Sequence, residues 1–391
     1  MENLWTAKEA SNYKTDLELR VFSSNLLGRS DELVLHGGGN TSVKTTVDGE
    51  EILLVKGSGW DLVSIEAEGF SPVKMSTLLE MAKLEELSDT DMVSGQKAGM
   101  TDSSAPNPSV EAILHALIPF KVVDHTHADA VVTISNSVNG QEHIASLFPN
   151  FLIVPYIMPG FILAHEIYKM TRDFDWDSCE GIILHNHGIF TFDDDAKSSY
   201  DKMIEAVSKA EDFLKENAEL SFSQMEPMFS CDMEHLKSSI TKAKGHEIVL
   251  KVNQTQLALN YASNPNLEEF ATRGVLTPEH IIRTKHQPLI IDGNNIDEAL
   301  AEYMEGYKEY FEAFATDEIM LNPAPNYALI KDFGLVLFGK TEKEVNVLND
   351  VIEHTMMAVL RADRLGGYES ISMADSFAME YWELEQAKLT K

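Results

Sequence analysis

His125 and His127 stand two residues apart in "VVDHTHADAVV" (122–132), a β-branched, apolar run. Side chains alternate across a strand, so the two imidazoles share one face while Asp124 and Thr126 take the other. Rings about 6–7 Å apart along a strand can chelate one cation through nitrogens at about 2.0–2.1 Å. A lone strand histidine is more often a satisfied core residue, and the H-x-H spacing shifts that balance while remaining only moderately specific. The alternation recurs at His185 and His187 in "HNHG". A site of three histidines leaves a coordination position for substrate or water.

A carboxylate lies nearby in sequence. In "PSVEAILHAL", Pro108 and Ser109 form a helix entry, Glu111 falls in the first turn and His115 follows one turn later on the same face. The plain role of such a glutamate is to stabilise the positive end of the helix dipole, and the chemical one is a general base beside a metal. Upstream, "HGGGNTS" and "KGSGW" set glycines 37–39 among Asn40, Thr41, Ser42, Lys56 and Ser58. Glycines that reach positive φ let successive backbone amides converge on an anion, and a tight turn without a ligand is the alternative. The pattern is neither a dinucleotide-binding fingerprint nor a nucleotide-triphosphate loop, because Ser42 stands at the third glycine position and no glycine-lysine-serine follows.

The elements that must position these residues read as follows. Residues 15–28 and 75–87 have helical periodicity, "EEILLVKGSGW" and "FLIVPYIMPG" read as strands, and "KVVDHTHADAVVTIS" reads as one strand throughout. The polar segment 90–107 reads as a loop. "EGIILHNHGIFTF" is two strand halves meeting at His187-Gly188, followed by a helix over about 195–217. Residues 218–245 read as a connection. Beyond them, "YALIKDFGLVLFGKTEK" (327–343) matches "GIILHNHGIFTFDDDAK" (181–197) apolar for apolar, with Gly188 over Gly334 and His187 over Phe333. Two readings stand: a degenerate repeat without the metal ligand, or two unrelated buried hairpins that each precede a helix. "TPEHIIRTKH", with His280 and His286, reads as a contact for an anion or, more simply, as a satisfied surface turn.

Charge and composition narrow the function classes. The 391 residues include 63 acidic and 31 basic side chains, a formal net charge of −32. Such a field repels nucleic acid and anionic membranes, so an anionic substrate needs a metal or a local positive cluster. Apolar content of 44% and charged content of 24% are those of a globular protein. Cys179 and Cys231 lack metal spacing and are too few for a disulfide scaffold, which suits a reducing compartment. The first residues lack a secretory pattern, and no run approaches the roughly 18 apolar residues of a membrane span. A cytoplasmic location is expected.

Taken in order, Gly39-Asn40-x-Ser42, Ser58-Gly59, Pro108-Ser109-x-Glu111, His125-x-His127 and His187-Gly188 resemble the class II aldolase/adducin family over residues 15–217. Longer strings ("LHGGGNTSVK", "VPYIMPGF", "RGVLTPEHIIRTK", "GGYESIS") are similar to the aldolase portion of bifunctional rhamnulose-1-phosphate aldolase/alcohol dehydrogenase proteins over nearly the whole chain. The resemblance implies an α/β fold, α+β-like, with a mixed central sheet flanked by helices. It implies a metal-binding domain at 1–225 and a C-terminal accessory region at 226–391, a candidate degenerate repeat serving packing or oligomerisation. It makes His125, His127 and His187 ligands of a divalent metal, zinc first, with manganese or cobalt as alternatives. Glu111 becomes the acid/base, and Gly39, Asn40, Ser58, Gly59 and Ser109 become phosphate-binding positions. His185 falls outside the ligand pattern.

The implied reaction is cleavage of a ketose 1-phosphate, rhamnulose-1-phosphate-like, to dihydroxyacetone phosphate and a small aldehyde such as lactaldehyde. Relatives also include decarboxylases or dehydratases of phosphorylated sugar acids, epimerases that typically have Asp where Glu111 stands, and non-catalytic adducin-like modules. The implied partners are a phosphorylated sugar, other copies of the chain in a homo-oligomer (a tetramer in relatives), and a separately encoded dehydrogenase, since the bifunctional proteins' dinucleotide-binding domain is not in this sequence. Val110 replaces a second hydroxyl residue common in the family, so the phosphate grip is expected to differ. Tyr156 is a weak candidate for a second proton donor.

Overall fold

The computed structural model describes residues 1–389, which form two compact units: Met1–Ser135 with Asn139–Phe213, and Asn136–Val138 with the chain from Leu214 onward. The expected division after residue 225 compares with this change of unit after Phe213, and the last two residues of the expected 226–391 region lie outside the described residues. Among the described residues no helix is long and apolar enough to cross a membrane.

The first unit is built on a seven-stranded mixed sheet. Its strands are β1 (Asn40–Val47), β2 (Glu50–Lys56), β3 (Phe70–Lys74), β4 (Val122–Thr126), β5 (Phe151–Val154), β6 (Gly181–Leu184) and β7 (Gly188–Asp193), in spatial order β3-β2-β1-β4-β7-β6-β5. All neighbours run antiparallel except β5 and β6. β4 is central and every one of its residues is buried, as a strand covered on both faces requires. On one side the helices Met75–Ala82, Ala112–Leu117 and Phe161–Met170 bury Leu78, Ile113 and Ala164 against Leu53, Val55 and Val73. On the other lie the helices Asp16–Gly28 and Ala196–Asn217. The former is opened by a capping box between Thr15 and Glu18, which satisfies two orphan amides at once.

Asp124 and Thr126 lie on the far face of β4, as strand alternation predicts, and both are bonded there. Asp124 accepts from Ser199 Oγ at 2.6 Å and pairs with Arg20 at 2.5 Å, both side chains of the pair being fully buried. Thr126 Oγ1 lies 3.2 Å from Met203 Sδ. The partner that neutralises Asp124 comes from a helix about a hundred residues earlier in the chain, and nothing in the local sequence points to it.

The second unit carries a four-stranded sheet, order β8-β11-β10-β9, from β8 (Val249–Asn253), β9 (Leu289–Ile291), β10 (Tyr327–Ile330) and β11 (Gly334–Gly339). This order reproduces β4-β7-β6-β5, with β9 parallel to β10 as β5 is to β6 and the other pairs antiparallel. The turns match in detail. Asn186 and Asp332 both take left-handed backbone, with φ of 58° and 57°. The amides of His187 and Phe333 then close on Leu184 and Ile330 carbonyls at 3.2 and 3.0 Å. The second unit thus has the strand order and turn geometry of half of the first sheet, the arrangement that the degenerate-repeat reading expects. Register carries the comparison to the ligands. Thr126 pairs with Ile189 and Asn253 with Leu335, so Val252 stands at the position of His125 and Gln254 at that of His127. Gln254 Nε2 donates directly to the Phe333 carbonyl at 3.0 Å.

Three readings from the sequence need correction. The segment 90–107 is not all loop: Asp89–Ala98 is a helix, capped by Ser88 and burying only Met92 and Gln96, a stripe too narrow to show as periodicity. "ADAVVTIS" is not strand, because the chain leaves β4 after Thr126 and winds into the helix Asp129–Ser135. β-branched residues are tolerated in this helix because Val131, Val132 and Ile134 are fully packed. His280 and His286 do not sit in a surface turn, since both are buried, at 8% and 7% exposure.

Candidate metal centre

β4 delivers His125 at its inner face, and His127 follows just beyond the strand end. His187 comes from the turn between β6 and β7. One nitrogen from each lies within 4.8 Å of the others, and ring centroids are 4.8, 5.2 and 5.1 Å apart. Two glycines make the approach geometrically feasible. A Cβ on Gly188 would sit 2.4 Å from the Thr126 carbonyl, 3.0 Å from the His125 ring and 3.1 Å from the His127 ring. A Cβ on Gly39, whose φ is +63°, would sit 2.7 Å from the His125 carbonyl. The neighbouring strands thus close on the histidines only because these two positions carry no side chain.

The His125 tautomer follows from its neighbours. Its Nδ1 lies 3.1 Å from the Ile189 carbonyl, which can only accept, so Nδ1 carries the proton and Nε2 presents a lone pair. Phe190 stacks on the same ring at 3.9 Å and 13°. The His125 Nε2 lies 3.0 Å from His127 Nε2 and 3.5 Å from Glu111 Oε2, and His187 Nε2 lies 3.6 Å from Glu111 Oε1. That buried Oε1 has no hydrogen-bond partner. Convergent imidazole nitrogens beside an unsatisfied carboxylate oxygen suit a borderline divalent cation. His185 is not part of this group. It is buried, it hydrogen-bonds to the Ser135 backbone, and burial lowers its pKa, so it stays neutral.

Glu111 is the N-cap of the Ala112–Leu117 helix rather than a residue of its first turn. Its carboxylate is held from the side opposite the histidines: Asn40 Nδ2 donates to Oε2 at 2.6 Å and to Ser109 Oγ at 3.1 Å. The amide of Glu111 donates to Ser109 Oγ at 3.3 Å. The amide orientation of Asn40 is therefore determined, because a carboxylate cannot donate, and its Oδ1 must face His115 Nε2. His115 Nε2 then carries the proton, and Ser42 Oγ donates to Nδ1 at 2.8 Å. Burial drives the His115 pKa well down, so this fully enclosed ring is neutral. The sequence alone places His115 on the Glu111 face and gives it no role; the signal is its spacing, and its partners Asn40 and Ser42 lie about seventy residues away.

The phosphate-binding candidates are drawn together by the turn at 107–109. Ser109 N donates to the Lys56 carbonyl at 3.0 Å, Ser58 N to the Asn107 carbonyl at 2.8 Å, and Gly57 pairs with Pro108. Asn40 and Ser109 reach Glu111 directly, Gly39 abuts His125, and Ser58 and Gly59 are exposed at the mouth of the same loops. The amides of Gly38 and Ser58 are engaged with the carbonyls of Leu35 and Asn107, so an anion would rely on other donors there. Lys56 Nζ donates to the Gly37 carbonyl at 3.0 Å and braces the glycine run. Tyr156 lies half-buried between β5 and the Phe161–Met170 helix.

A seven-stranded mixed sheet that carries a three-histidine centre and a buried glutamate at its middle defines a metal-binding α/β protein. Comparison with known proteins makes the assignment specific. The family described as "Class II Aldolase and Adducin N-terminal domain" matches residues 23–214, and "Aldolase class II, second domain" matches residues 229–389. The N-terminal class II aldolase domain of a conserved protein from Thermoplasma acidophilum is 40% identical, covering 55% of this chain and 99% of that one, with a TM-score of 0.50. The chain belongs to the class II aldolase family. An uncharacterized oxidoreductase, YuxG of Bacillus subtilis (strain 168), is 28% identical over 420 residues, an alignment that spans all of this chain and 60% of that protein's length. L-fuculose-1-phosphate aldolase from Thermus thermophilus is a remote structural neighbour, 14% identical over 51% of this chain and 94% of its own, with a TM-score of 0.35.

Proposed function

We propose that the protein is a metal-dependent aldehyde-lyase that cleaves a ketose 1-phosphate of the rhamnulose-1-phosphate type to dihydroxyacetone phosphate and a short aldehyde such as lactaldehyde. The observation that carries this reading is the Glu111 carboxylate, which spans the Nε2 atoms of His125 and His187 at 3.5 and 3.6 Å while Asn40 holds it from behind. His125, His127 and His187 would hold a divalent ion, zinc by preference, whose Lewis acidity polarises the substrate carbonyl. In the cleavage direction the C4 hydroxyl gives its proton to a solvent base, the C4 carbonyl forms as the C3–C4 bond breaks, and the electron pair of that bond moves toward the C2 carbonyl. Glu111 supplies the proton that C3 requires, and removes it in the synthetic direction. Asn40, itself bonded to Ser109 Oγ, fixes the Glu111 carboxylate in one orientation, which saves the entropy of arranging it in each turnover. Gly39 keeps the loop close against β4, and Ser58, Gly59 and Ser109 offer hydroxyl and amide donors to the phosphate. The reading extends to a cytoplasmic homo-oligomer whose aldehyde product is consumed by a dehydrogenase.

The test is a panel of ketose 1-phosphates and their unphosphorylated forms, incubated with zinc-loaded protein while triose products are measured. Cleavage of a 1-phosphate that is lost in Glu111→Gln, with bound zinc retained, is expected. Cleavage unchanged by that substitution overturns the role of Glu111. Turnover of a phosphorylated sugar acid, with no ketose cleaved, replaces the lyase reading with a decarboxylase or dehydratase.

A further inference from the structure

The second unit has lost the metal ligands, yet it contains a cavity of about 650 Å³ of its own, within the ordinary size range of small-molecule sites. One wall is the long helix Ile296–Phe314, which presents Tyr303, Gly306, Tyr307, Tyr310 and Phe314 along one face. The floor is the segment that leads into β9, from His286 to Leu289.

The wall is largely ring carbon, because two of its three tyrosines bond their hydroxyl groups to other protein atoms. Tyr303 Oη donates to the Gln287 carbonyl at 3.3 Å, and Tyr307 Oη donates to Glu380 at 2.7 Å. Tyr310 stacks on His286 at 4.1 Å and 25°. Gly306, in the middle of this helix, faces open space, with nothing within 4 Å of a Cβ built there. Glycine is unfavourable in the middle of a helix relative to alanine, and here its effect is to widen the cavity.

The polar atoms left over have a consistent character. His286 is 7% exposed and its Nδ1 has no hydrogen-bond partner, and the buried Oδ1 of Asn295 is an unsatisfied acceptor. Burial pushes the His286 pKa down to about 4, so it enters as a neutral ring. The rim carries Glu268, Asp292, Glu302 and Glu309, and neither lysine nor arginine lines the cavity. The nearest buried charges, Lys285 and Glu380, lie behind Tyr307 and act on each other. Lys285 Nζ donates to the Asn322 carbonyl at 2.6 Å and lies 3.5 Å from the centre of the Tyr307 ring.

We propose that this cavity binds an organic ammonium ion carried on a compact apolar or aromatic body. The aromatic walls attract the cation and cover the body, Asn295 Oδ1 and His286 Nδ1 offer buried polar atoms, and the rim carboxylates set the sign of the charge. The site is independent of the histidine centre, and its test does not depend on the lyase reading.

The experiment is calorimetric titration of the full-length, zinc-loaded protein at about 0.15 M salt, where nonspecific attraction to the acidic surface is largely screened. The probes are 2-phenylethylammonium, the neutral 2-phenylethanol and the anionic phenylacetate. Saturable binding of the ammonium is expected, about tenfold tighter than that of the alcohol, with no binding of the acid. The Gly306→Leu variant should fill the cavity and abolish binding without lowering the thermal midpoint. Should Gly306→Leu fold poorly, the exposed pair Glu302→Gln/Glu309→Gln gives the answer, with affinity reduced about tenfold. Three results overturn the proposal: no saturable binding of the ammonium in the millimolar range, equal binding of the alcohol or acid, or ammonium affinity unchanged in both variants.

Discussion

Asn40 Nδ2 donates to Glu111 Oε2 at 2.6 Å, so a residue of β1 aims the carboxylate that faces the three histidines. The Asn40 amide is itself aimed by His115, which Ser42 holds in the required tautomer. A chain of three buried side chains therefore fixes one orientation of the Glu111 carboxylate.

Breaking that chain should reduce turnover more than binding. For Asn40→Ala we expect kcat to fall by about 10²-fold, and for His115→Ala by about tenfold, with zinc content unchanged in both. A neutral His115→Gln that still donates to Asn40 should restore part of the loss. Steady-state kinetics with parallel metal analysis decide this. Loss of zinc in either variant would mean that the network supports the ligands rather than the carboxylate.

Metal stoichiometry should be one ion per chain. The repeat places Val252, Gln254 and Phe333 where the first unit has His125, His127 and His187, and Gln254 bonds the Phe333 carbonyl where two imidazoles would share a cation. Elemental analysis should return one equivalent for the native protein and none for His127→Ala. Removal of the ion by a chelator should lower the thermal midpoint as well as abolish cleavage, because an ion bound to the native state stabilises it. A second equivalent that survives His127→Ala would contradict the degeneracy of the repeat.

The buried pair Arg20–Asp124 should carry a large stability penalty when broken on one side only. Arg20→Met leaves a carboxylate uncompensated beneath β4, at a cost of about 3–5 kcal/mol. Asp124→Asn keeps the Ser199 contact and removes the charge, but strands the guanidinium and should cost a similar amount. The denaturant midpoints of the two single variants and the double variant form a cycle, and recovery in the double variant is the expected outcome.

Acid should weaken the second unit through His286. Its pKa is about 4 in the fold against 6.5 for the free ring, with burial the main cause and Lys285 the second. Between those values the unfolded chain binds the extra proton, so stability rises with pH and is lost as pH falls from 6.5 toward 4. The loss at pH 5 relative to pH 7.5 should be about 2 kcal/mol. His286→Asn should remove that part of the slope, which urea midpoints at the two pH values would reveal. An unchanged slope would rule out His286 as its source.

The candidate ligands His125 and His127 and the hairpin that carries His185 and His187 were legible in the chain itself, while the choice of His187 rested on the family resemblance. Strand alternation fixes which face His125 takes, and the turn at Asn186 requires only local backbone geometry. The echo at 327–343 was legible for the same reason, as a match of local patterns, although the two readings of it were equal in strength. Only the strand orders extend the match beyond the hairpin, because pairing partners are separated by long stretches of chain that periodicity does not sample. Local reading failed where packing overrode pattern: polar Asp89–Ala98 is helix because two inward residues suffice, and β-branched Asp129–Ser135 is helix because its valines and isoleucine are enclosed. The aim of Glu111 belongs entirely to the tertiary structure. Asn40 alone bonds the carboxylate, with His115 and Ser109 bonded to the Asn40 amide, and these long-range contacts of Asn40 exist only once β1 has paired with β4 and placed Asn40 opposite His125.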